Sequence, residues 1–493
     1  MIHIVEHENH CDISGDDDEL LELLQDVLTQ QRDKEKENLI LYRVGPEGFT
    51  FPPGLLKFVL GELDRLVIPY EVQGLPRLPV VKVQEDLLLN GPDPITLRDY
   101  QVTSIRKGFS HRRGIFNIAT GGGNTEIIIG LAKMVGTSLT IVPSKSSLLQ
   151  TVKRFRNRGL ESVGGFGGGL KDLTKDHTIA TAAMFYSRLK DTDESVENFL
   201  KNTELLMFDE VHHLGTAHSW QAVGDACEAT RRFGFSGSPW ATGMPYIELA
   251  SKKESKFADF RIASQVGETL VYIPSKMLRE MGVIIDPRIF VLPVSEPKGL
   301  HSNPFPTWHW VYKNGIVENE TRNKLIVDAA YELRGRGHKT TILVVSIAHG
   351  CSLLKQLHSK GLTAAFTKGN DEVLVYTGKK IKSHKDAGER IRDDFLAGDI
   401  DVLIGSVVID EAIDLPGMSA LILAGGMKSP IRAVQRVGRA IRTSEGKEEA
   451  IIIDFMDNQH YFLKNHTYKR LGIYDAHEYD YTECTWEELW EQL

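Results

Sequence analysis

The chain contains 493 residues, of which 41% are hydrophobic and 25% charged, and its formal net charge is −9. This length favours two or three domains with separate cores, and the ordinary composition without a long apolar run excludes a membrane-spanning protein. The acidic balance excludes attraction to nucleic acid by overall charge, so a nucleic-acid partner would have to be held by local groups.

The beginning of the chain has neither the basic segment nor the continuous apolar segment of a secretory signal, which favours a cytoplasmic protein. The cysteines are far apart and include no CxxC pair, which argues against a disulfide framework and against a cysteine-based zinc site. We therefore expect reduced, structural thiols at Cys11, Cys227, Cys351 and Cys484.

Residues 1–93 combine an acidic stretch with apolar helical patterns at Leu20–Leu28 and Leu55–Val67. This pattern predicts a small α+β module at the N-terminus. The proline-containing segment that follows ends in the turn Gly91–Pro94, which is typical of a linker. We therefore expect a domain boundary near residue 94.

Two successive stretches then alternate short strand-like runs with helical patterns, which is typical of parallel sheets covered by helices. In residues 94–275 the runs are Gly114–Ala119, Ser138–Val142, Thr178–Thr181, Leu205–Phe208 and Phe233–Ser236. In residues 276–465 they are Thr341–Ser346, Leu374–Tyr376, Val402–Gly405, Ala420–Ala424 and Ala450–Asp454. The sequence thus predicts an α/β protein in which two tandem parallel-sheet lobes follow the N-terminal module, with a C-terminal tail at 466–493.

A glycine-rich string lies between the first strand-like run and a helical pattern. Backbone N–H groups in such a loop, together with the helix N-terminus, form a cradle for phosphate. The P-loop pattern ends in Gly-Lys-Ser/Thr, whereas this chain has Asn124 at the position of the cation. On this string alone, a glycine-rich turn without a ligand is an equal alternative. The string is Thr120, Gly121, Gly122, Gly123, Asn124 and Thr125.

Two acidic residues, Asp209 and Glu210, follow the apolar run Leu205–Phe208, and His212 and His213 come next. Carboxylates at the carboxyl end of a sheet strand lie where α/β sheets bind ligands. One acid can hold magnesium while its neighbour orients and deprotonates water. A solvated acidic turn is the commoner explanation of such a string, but its position after the glycine-rich loop favours the catalytic interpretation.

The second lobe carries Gln435, Arg439 and Arg442, and the two arginines are three residues apart on one face of a predicted helix. Two guanidiniums directed at one phosphate are suited to stabilise charge that develops during phosphoryl transfer. A basic surface helix is the alternative interpretation of this string alone.

These strings, in this order, resemble those of the DExH-type superfamily 2 helicases and translocases over nearly all of residues 95–465. The resemblance implies two RecA-like lobes that open and close about ATP and Mg²⁺. It implies that Thr125 and Asp209 hold the metal, that Glu210 is the general base, and that His212 couples the nucleotide to the other lobe. It places His213 outside the pattern, as a structural residue.

Further roles follow from the same resemblance. The segment Ser236–Pro239 resembles the motif that links hydrolysis to strand movement, and Glu411–Asp414 resembles motif V, with Ala412 where glycine is usual. Gln435 would lie near the γ-phosphate, with Arg439 and Arg442 as arginine fingers. The other implied nucleotide contacts are Arg98, Gln101, Thr120, Gly121, Gly122, Gly123, Asn124, Glu126 and Asp414.

The resemblance also implies a nucleic-acid track that contacts the phosphate backbone and tolerates any base sequence. The implied contacts are Pro143, Ser144, Lys145, Thr181, Ser346 and Ser406. The glycine stretch Gly164–Gly169 is explained equally by close approach of a phosphate chain and by a flexible loop.

Within the superfamily, the small N-terminal module, the turn Phe51–Leu55 and the glycine stretch are similar to phage recombination and branch-migration helicases of the UvsW type. This resemblance implies branched or forked DNA as the substrate, host cytoplasm as the location, and a module that helps to grip duplex. A DExH RNA helicase and a restriction-enzyme motor share the core motifs, and the short segment after residue 465 disfavours the restriction motor. The oligomeric state stays open.

Asn124 predicts that hydrolysis is impaired, because a neutral amide cannot replace the ammonium that bridges the β- and γ-phosphates. One hypothesis is an engineered or selected change in a motor whose other residues remain. The rival hypothesis is a non-hydrolysing, nucleotide-gated DNA clamp, and a role without nucleotide is a third class.

Overall fold

The computed structural model describes residues 1–31, 38–45, 48–240, 257–297, 299–368, 372–385, 387–406, 418–426 and 449–493. Contacts between residues divide the chain into two compact units. The first comprises Met1–Ile118 and Gly123–Ile273, and the second comprises Ala119–Gly122 and Pro274–Leu493. Each unit contains a large, mostly parallel sheet, which confirms the predicted α/β class with tandem lobes after a small N-terminal module.

The N-terminal module is a five-stranded sheet with two helices, accompanied by a two-stranded sheet. Its large sheet has the order β5-β6-β2-β1-β7. Alternate residues of the central strands, such as Ile2 and Ile4, are buried, which is the period of a sheet with one covered face. The elements are β1 (Ile2–Glu6), β2 (Cys11–Gly15), α1 (Asp18–Val27), β3 (Thr29–Gln31), β4 (Asn38–Ile40), β5 (Arg43–Gly45), β6 (Gly48–Phe51), α2 (Leu56–Arg65) and β7 (Tyr70–Gln73).

The module packs directly on the first lobe. Phe58 of α2 meets Phe260 edge to face, with 5.1 Å between the ring centroids. Gly54, in the turn before α2, lies so close to the lobe that a Cβ atom there would be 2.0 Å from the carbonyl oxygen of Ala263. The contact therefore requires glycine, and it makes one apolar core from the module and the lobe.

The first lobe is an eight-stranded sheet with the order β11-β10-β12-β9-β13-β14-β8-β15. Its strands are parallel except for the pair β10 and β11. The strands are β8 (Arg113–Ile118), β9 (Ser138–Val142), β10 (Val163–Gly167), β11 (Leu170–Lys171), β12 (His177–Thr181), β13 (Leu205–Asp209), β14 (Arg231–Ser236) and β15 (Thr269–Ile273). The helices are α3 (Asp99–Ser110), α4 (Asn124–Lys133), α5 (Lys145–Asn157), α6 (Ala182–Lys190), α7 (Glu194–Lys201), α8 (His218–Ala226) and α9 (Phe257–Val266).

The flexible-loop interpretation of the glycine stretch Gly164–Gly169 was wrong. Its first part lies in β10, a buried strand that forms a hairpin with β11. Glycine is needed there because a Cβ atom at Gly165 would lie 2.4 Å from Leu170 Cδ1. The turn of the hairpin, Gly167–Gly169, has positive φ angles of 125°, 58° and 100°. The glycines therefore serve tight packing and turn geometry.

The second lobe is a nine-stranded sheet with the order β20-β19-β18-β21-β17-β22-β23-β16-β24. The strands are β16 (Pro287–Pro293), β17 (Thr340–Val344), β18 (Ala364–Lys368), β19 (Glu372–Tyr376), β20 (Ile381–His384), β21 (Val402–Ser406), β22 (Ala420–Ile422), β23 (Ala450–Met456) and β24 (Tyr481–Glu483). The α-helices are α10 (Ser275–Glu280), α11 (Trp308–Tyr312), α12 (Glu320–Gly335), α13 (Ile347–Ser359), α14 (Gly388–Ala397), α15 (Tyr461–Ala476) and α16 (Trp486–Gln492).

Two features of this lobe differ from the sequence prediction. The run Leu374–Tyr376 lies in β19, which is antiparallel to β18, because the short connection after Lys368 cannot make the crossover that a parallel neighbour needs. The expected C-terminal tail is part of the lobe, since β24 pairs with β16 and Leu489 of α16 is buried in the core. The alternation of short apolar runs in the sequence did not predict either feature, because each depends on which strands pair with one another in the sheet.

A buried ion pair joins α15 to the strand β23. Arg470 contacts Asp454 through two short bonds, with Nε 2.9 Å from Oδ2 and Nη2 3.0 Å from Oδ1. The hydroxyl of Tyr474 also donates to Oδ2 at 3.0 Å. Burial alone would lower the pKa of Arg470, but the Asp454 carboxylate outweighs it and the net pKa is raised. Arg470 therefore remains protonated within the core.

We expect Arg470→Met to destabilise the protein by about 3–5 kcal/mol, because the carboxylate of Asp454 would remain buried without its counterion. Urea unfolding followed by circular dichroism measures the effect. Arg390→Met is the matched control, because Arg390 is an exposed arginine 3.7 Å from Asp394 and its removal should change stability by less than about 1 kcal/mol. Equal midpoints for the two variants would contradict the assigned role of the buried pair.

All four cysteines are free, and only Cys351 is partly exposed. Among the described residues, none of the helices combines the length and the apolar character that a bilayer crossing requires.

Candidate nucleotide site

The predicted nucleotide residues of the first lobe follow three neighbouring strands. Ser236 at the end of β14 is opposite Asn117 of β8, and Asp209 at the end of β13 is opposite Phe235 of β14. The carboxyl ends of β8, β14 and β13 therefore lie side by side, with roughly 5 Å between adjacent strands. This edge is where open α/β sheets bind their ligands.

The glycine-rich loop connects β8 to α4, as the sequence predicted. Gly121 and Gly123 have φ angles of 93° and 83°, which other residues rarely adopt. The N–H of Gly122 donates to the carbonyl oxygen of Ala119 at 2.9 Å and closes the turn. A turn of this kind at the N-terminus of a ten-residue helix presents backbone N–H groups and a positive dipole to an anion.

Gln101 lies against this loop. A Cβ atom at Gly123 would be 2.4 Å from Gln101 Nε2, so the loop can pass the buried amide only as glycine. The oxygen Oε1 of Gln101 accepts a hydrogen bond of 2.9 Å from the backbone N–H of Arg98, at the start of α3. The structure thus brings Gln101, one of the nucleotide contacts implied by the resemblance, to the glycine-rich loop.

Glu126, in the first turn of α4, is held by two arginines that the sequence analysis did not identify. Its Oε1 atom is 3.1 Å from Arg154 Nε and 3.4 Å from Arg158 Nη2. Arg158 also contacts the carboxylate of Asp93 at 2.5 Å. The only sequence signal was the basic string at residues 154–158, which is common on exposed helices. This network fixes the start of α4 to α5 and to the segment before α3.

Asn124 is partly buried at the position where a P-loop has lysine. Its Nδ2 atom makes a long contact of 3.4 Å with the carbonyl oxygen of Ile118. Its Oδ1 atom is buried and has no hydrogen-bond partner within the described part of the chain. A neutral amide at this position brings no positive charge to phosphate oxygens, whereas an ammonium would attract them.

The acidic pair follows β13 as predicted, and Glu210 adopts a left-handed backbone conformation with φ 59°. This conformation is uncommon for residues other than glycine and clusters at functional sites. The hydroxyl of Ser236 donates to Glu210 Oε2 at 3.0 Å, and His212 Nδ1 is 3.4 Å from the same oxygen. The hydroxyl of Ser236 in turn accepts the N–H of Ser238 at 3.2 Å. The carboxylate of Glu210, the predicted general base, is thus oriented by Ser236 at the end of β14 and by His212 after β13.

His213 is partly buried and packs between His212 and Trp220. Its ring centroid is 4.9 Å from that of Trp220 and 4.5 Å from that of His212. This packing matches the structural role expected from the sequence.

The expected nucleic-acid residues of the first lobe converge on the glycine hairpin. Lys145 and Thr181 follow adjacent strands, since Thr181 is opposite Val142 at the end of β9. A Cβ atom at Gly167 would lie 2.4 Å from Thr181 Oγ1, and a Cβ atom at Gly168 would lie 2.6 Å from Lys145 Cγ. Ser144, which follows Pro143, caps α5 by accepting the N–H of Ser147 at 3.1 Å. These residues form one surface beside the nucleotide site.

In the second lobe, Ser346 and Ser406 follow the neighbouring strands β17 and β21. Ser406 is 3% exposed, and its hydroxyl has no partner among the described residues. The remaining predicted residues, Asp414, Gln435, Arg439 and Arg442, lie outside the described residues, as does the rest of the motif V string.

Thr125, in the first turn of α4, and Asp209, at the end of β13, are partly exposed, and a hydroxyl and a carboxylate are ligands that Mg²⁺ prefers. The loop, the oriented carboxylate and these oxygen donors fit a nucleotide phosphate with its metal. A glycine-rich loop before a helix, a hydroxyl and an acidic pair are the elements that P-loop proteins use at a phosphate site, whereas the lysine of that pattern is replaced by Asn124.

Comparison with known proteins agrees with this geometry. Residues 94–240 match the family described as Type III restriction enzyme, res subunit, and residues 322–444 match the family described as helicase conserved C-terminal domain. DNA 3'-5' translocase XPB2 of Sulfurisphaera tokodaii is 23% identical over 408 residues, which are 76% of this chain and 86% of that protein. ATP-dependent DNA helicase uvsW of Enterobacteria phage T4 is 22% identical over 372 residues, which are 73% of this chain and 68% of that protein.

Among solved structures, the ATP-dependent Type ISP restriction-modification enzyme LlaBIII bound to DNA has a TM-score of 0.55 at 16% identity, covering 84% of this chain and 32% of that one. This similarity, at low sequence identity, shows that the two proteins share a fold. Residues 94–240 and 322–444 thus match these two families in the order in which the motif strings occur, and the similar proteins include a DNA translocase and a DNA helicase, as expected of superfamily 2. The resemblance inferred from the motif strings is thereby confirmed.

Proposed function

We propose that this protein is an ATP-dependent DNA helicase or translocase that acts on branched or forked DNA. The observation that carries the proposal is the convergence of the phosphate loop and the network of Glu210, Ser236 and His212 at one sheet edge. The surface of Lys145 and Thr181 lies farther along the same edge. A site for nucleotide chemistry and a surface for a phosphate chain therefore share one rigid lobe.

The residues of the site would have different roles in ATP hydrolysis. Thr125 and Asp209 would hold Mg²⁺, which would neutralise charge on the phosphate oxygens. Glu210 accepts a proton from the attacking water, and Ser236 and His212 keep its carboxylate in the productive direction. By family resemblance, Gln435, Arg439 and Arg442 would also take part in hydrolysis.

The nucleic-acid surface favours contact with a phosphate backbone. Lys145 is an exposed cation at the start of α5, and the adjacent hairpin turn exposes backbone at Gly169, where a Cβ atom would meet nothing within 4 Å. Backbone N–H groups and one cation recognise phosphate without reading bases. This matches a motor that moves over any sequence.

DNA is favoured over RNA because two of the similar proteins are a DNA 3'-5' translocase and an ATP-dependent DNA helicase. Branched DNA is favoured by the architecture shared with the UvsW type, in which a small module precedes the first lobe. A DExH RNA helicase is the alternative. Asn124 supports impaired ATP hydrolysis in this protein. The first hypothesis is a motor in which the lysine has been replaced, and the alternative is a DNA clamp that nucleotide binding opens and closes without hydrolysis.

The substrate is tested by fluorescence anisotropy with matched labelled ligands: a fork, a four-way junction, linear duplex, single-stranded DNA and RNA, each with and without a non-hydrolysable ATP analogue. The proposal expects the fork or the junction to bind more tightly than linear duplex and RNA. Equal affinity for all ligands would overturn the assignment to branched DNA, and preference for RNA would favour the alternative.

We expect Lys145→Ala to weaken DNA binding by about tenfold, because it removes one charge-assisted phosphate contact. The slope of log affinity against log salt concentration should also fall by about 1. Lys153→Ala is the matched control, since Lys153 is an exposed lysine in the same helix. If both variants lose affinity equally, Lys145 has no specific role in the track.

A further inference from the structure

A group of imidazole and carboxylate side chains lies on the N-terminal module, in the same unit as the nucleotide site but on different elements. The strands β1 and β2 are antiparallel, with Glu6 opposite Cys11 and Val5 opposite Asp12. The N–H of His7 donates to the carbonyl oxygen of His10 at 2.8 Å and closes a tight turn. This turn brings His7, His10 and Asp12 to one end of the hairpin.

The three side chains converge on a small volume. His7 Nε2 is 2.9 Å from Asp12 Oδ2, and His10 Nε2 is 3.5 Å from Asp12 Oδ1. The imidazole rings are stacked with 4.5 Å between their centroids. One ligand atom from each residue lies within 4.8 Å of the other two. The side chains are 43–48% exposed, so an ion can reach them from solvent.

The backbone of this turn is held in place by the first lobe. A guanidinium nitrogen of Arg113 donates to the carbonyl oxygen of Glu8, and Arg232 Nη2 donates to Asn9 Oδ1 at 3.2 Å. Arg113 comes from β8 and Arg232 from β14, and burial lowers the pKa of Arg113 to about 9, with Arg232 adding to the effect. Because these two contacts hold the backbone of the turn, His7 and His10 lose little conformational freedom when they bind a common ligand.

We propose that His7, His10 and Asp12 form a binding site for a divalent transition metal, with Zn²⁺ as the best-suited ion. Two imidazole nitrogens and one carboxylate oxygen are donors that Zn²⁺ accepts at about 2.0–2.2 Å. Hard cations such as Mg²⁺ prefer oxygen ligands, so the metal of the nucleotide site is a poor competitor here. Three protein ligands leave a coordination position for water or for a group of another molecule.

The consequence is stabilisation of the module. A ligand that binds only the folded form raises its stability according to its concentration and affinity. The metal would join β1 to β2 at the end of the hairpin that rests on Arg113 and Arg232. Zn²⁺ would therefore strengthen the attachment of the N-terminal module to the first lobe.

The test uses the full chain without an affinity tag, titrated with zinc chloride alone by isothermal calorimetry, and with Co²⁺ followed by its visible absorption. We expect one Zn²⁺ per chain, binding that persists in excess Mg²⁺, and a thermal unfolding temperature that rises with Zn²⁺. Loss of a residue that binds the metal directly reduces metal affinity at least as much as loss of a residue that only hydrogen-bonds to such a ligand. His10→Gln and Asp12→Asn should therefore each weaken Zn²⁺ binding by about 100-fold.

His3→Gln is the matched control, because His3 is also on β1, is 49% exposed and faces a single carboxylate, Glu71, at 3.5 Å. It should bind Zn²⁺ as the parent chain does. Without metal, all variants should unfold at the parent temperature, which separates loss of a ligand from loss of fold. Absence of Zn²⁺ binding at millimolar concentration, or unchanged binding in His10→Gln, would overturn the site.

Discussion

Asn124→Lys is expected to raise DNA-stimulated ATP hydrolysis by about 10²–10³-fold, which is the effect of one well-placed donor on developing phosphate charge. The cradle around this position is intact, since Gly121 and Gly123 have the required conformations and Glu126 is fixed by its arginines. Asn124 is the position at which this string departs from the P-loop pattern, and the Oδ1 atom of its amide is buried. An ammonium there supplies the missing cation, and release of phosphate measures the gain.

Asn124→Gln is the control, because it lengthens the side chain without adding charge, and its rate should stay at the parent level. A rate that does not rise in Asn124→Lys would show that the chain is not a motor lacking only its lysine. Binding of labelled ATP with Mg²⁺ then distinguishes a nucleotide-gated clamp, which binds, from a protein without a nucleotide role, which does not.

In the Asn124→Lys background, Glu210→Gln should lower the hydrolysis rate by about 10²–10⁴-fold while nucleotide affinity changes little. The amide retains an oxygen that can accept the hydroxyl of Ser236, so the geometry is preserved and only the base is lost. Single-turnover hydrolysis and nucleotide titration separate the two quantities.

The matched control is Glu228→Gln, which removes a carboxylate from an exposed position of the same lobe and should leave both quantities unchanged. Ser236→Ala, in the same background, should reduce the rate less than Glu210→Gln does, because it disturbs the orientation of the base but keeps it. Parallel loss of nucleotide binding and hydrolysis in Glu210→Gln would contradict its assignment as the base.

Much of the first lobe could be predicted from the sequence because its signals are local. The run Ser138–Val142 is a strand with those bounds, and the glycine string opens a helix at Asn124 as expected. Apolar runs of five residues, glycines at a strand-to-helix junction and acids after a strand each have one dominant structural outcome. The order of such strings then identified the superfamily.

The remaining features depend on contacts between distant residues, which no local pattern encodes. Arg158 was unremarkable in sequence, yet it contacts both Glu126 and Asp93. The need for glycine at Gly54 arises from Ala263, which is far away in the chain. The direction of β19 was set by the length of a connection. The cluster of His7, His10 and Asp12 also depends on a hairpin that composition did not predict.

The helix α5 has different contacts at its two ends. Lys145, at its first residue, belongs to the proposed nucleic-acid surface, and Arg154, near its end, contacts Glu126 in the first turn of α4. Thirteen residues of α-helix form a stiff rod about 20 Å long. If Lys145 contacts the nucleic-acid backbone and the loop binds ATP, as proposed, a force on the bound strand at one end of this helix is transmitted to the first turn of α4, beside the nucleotide phosphates.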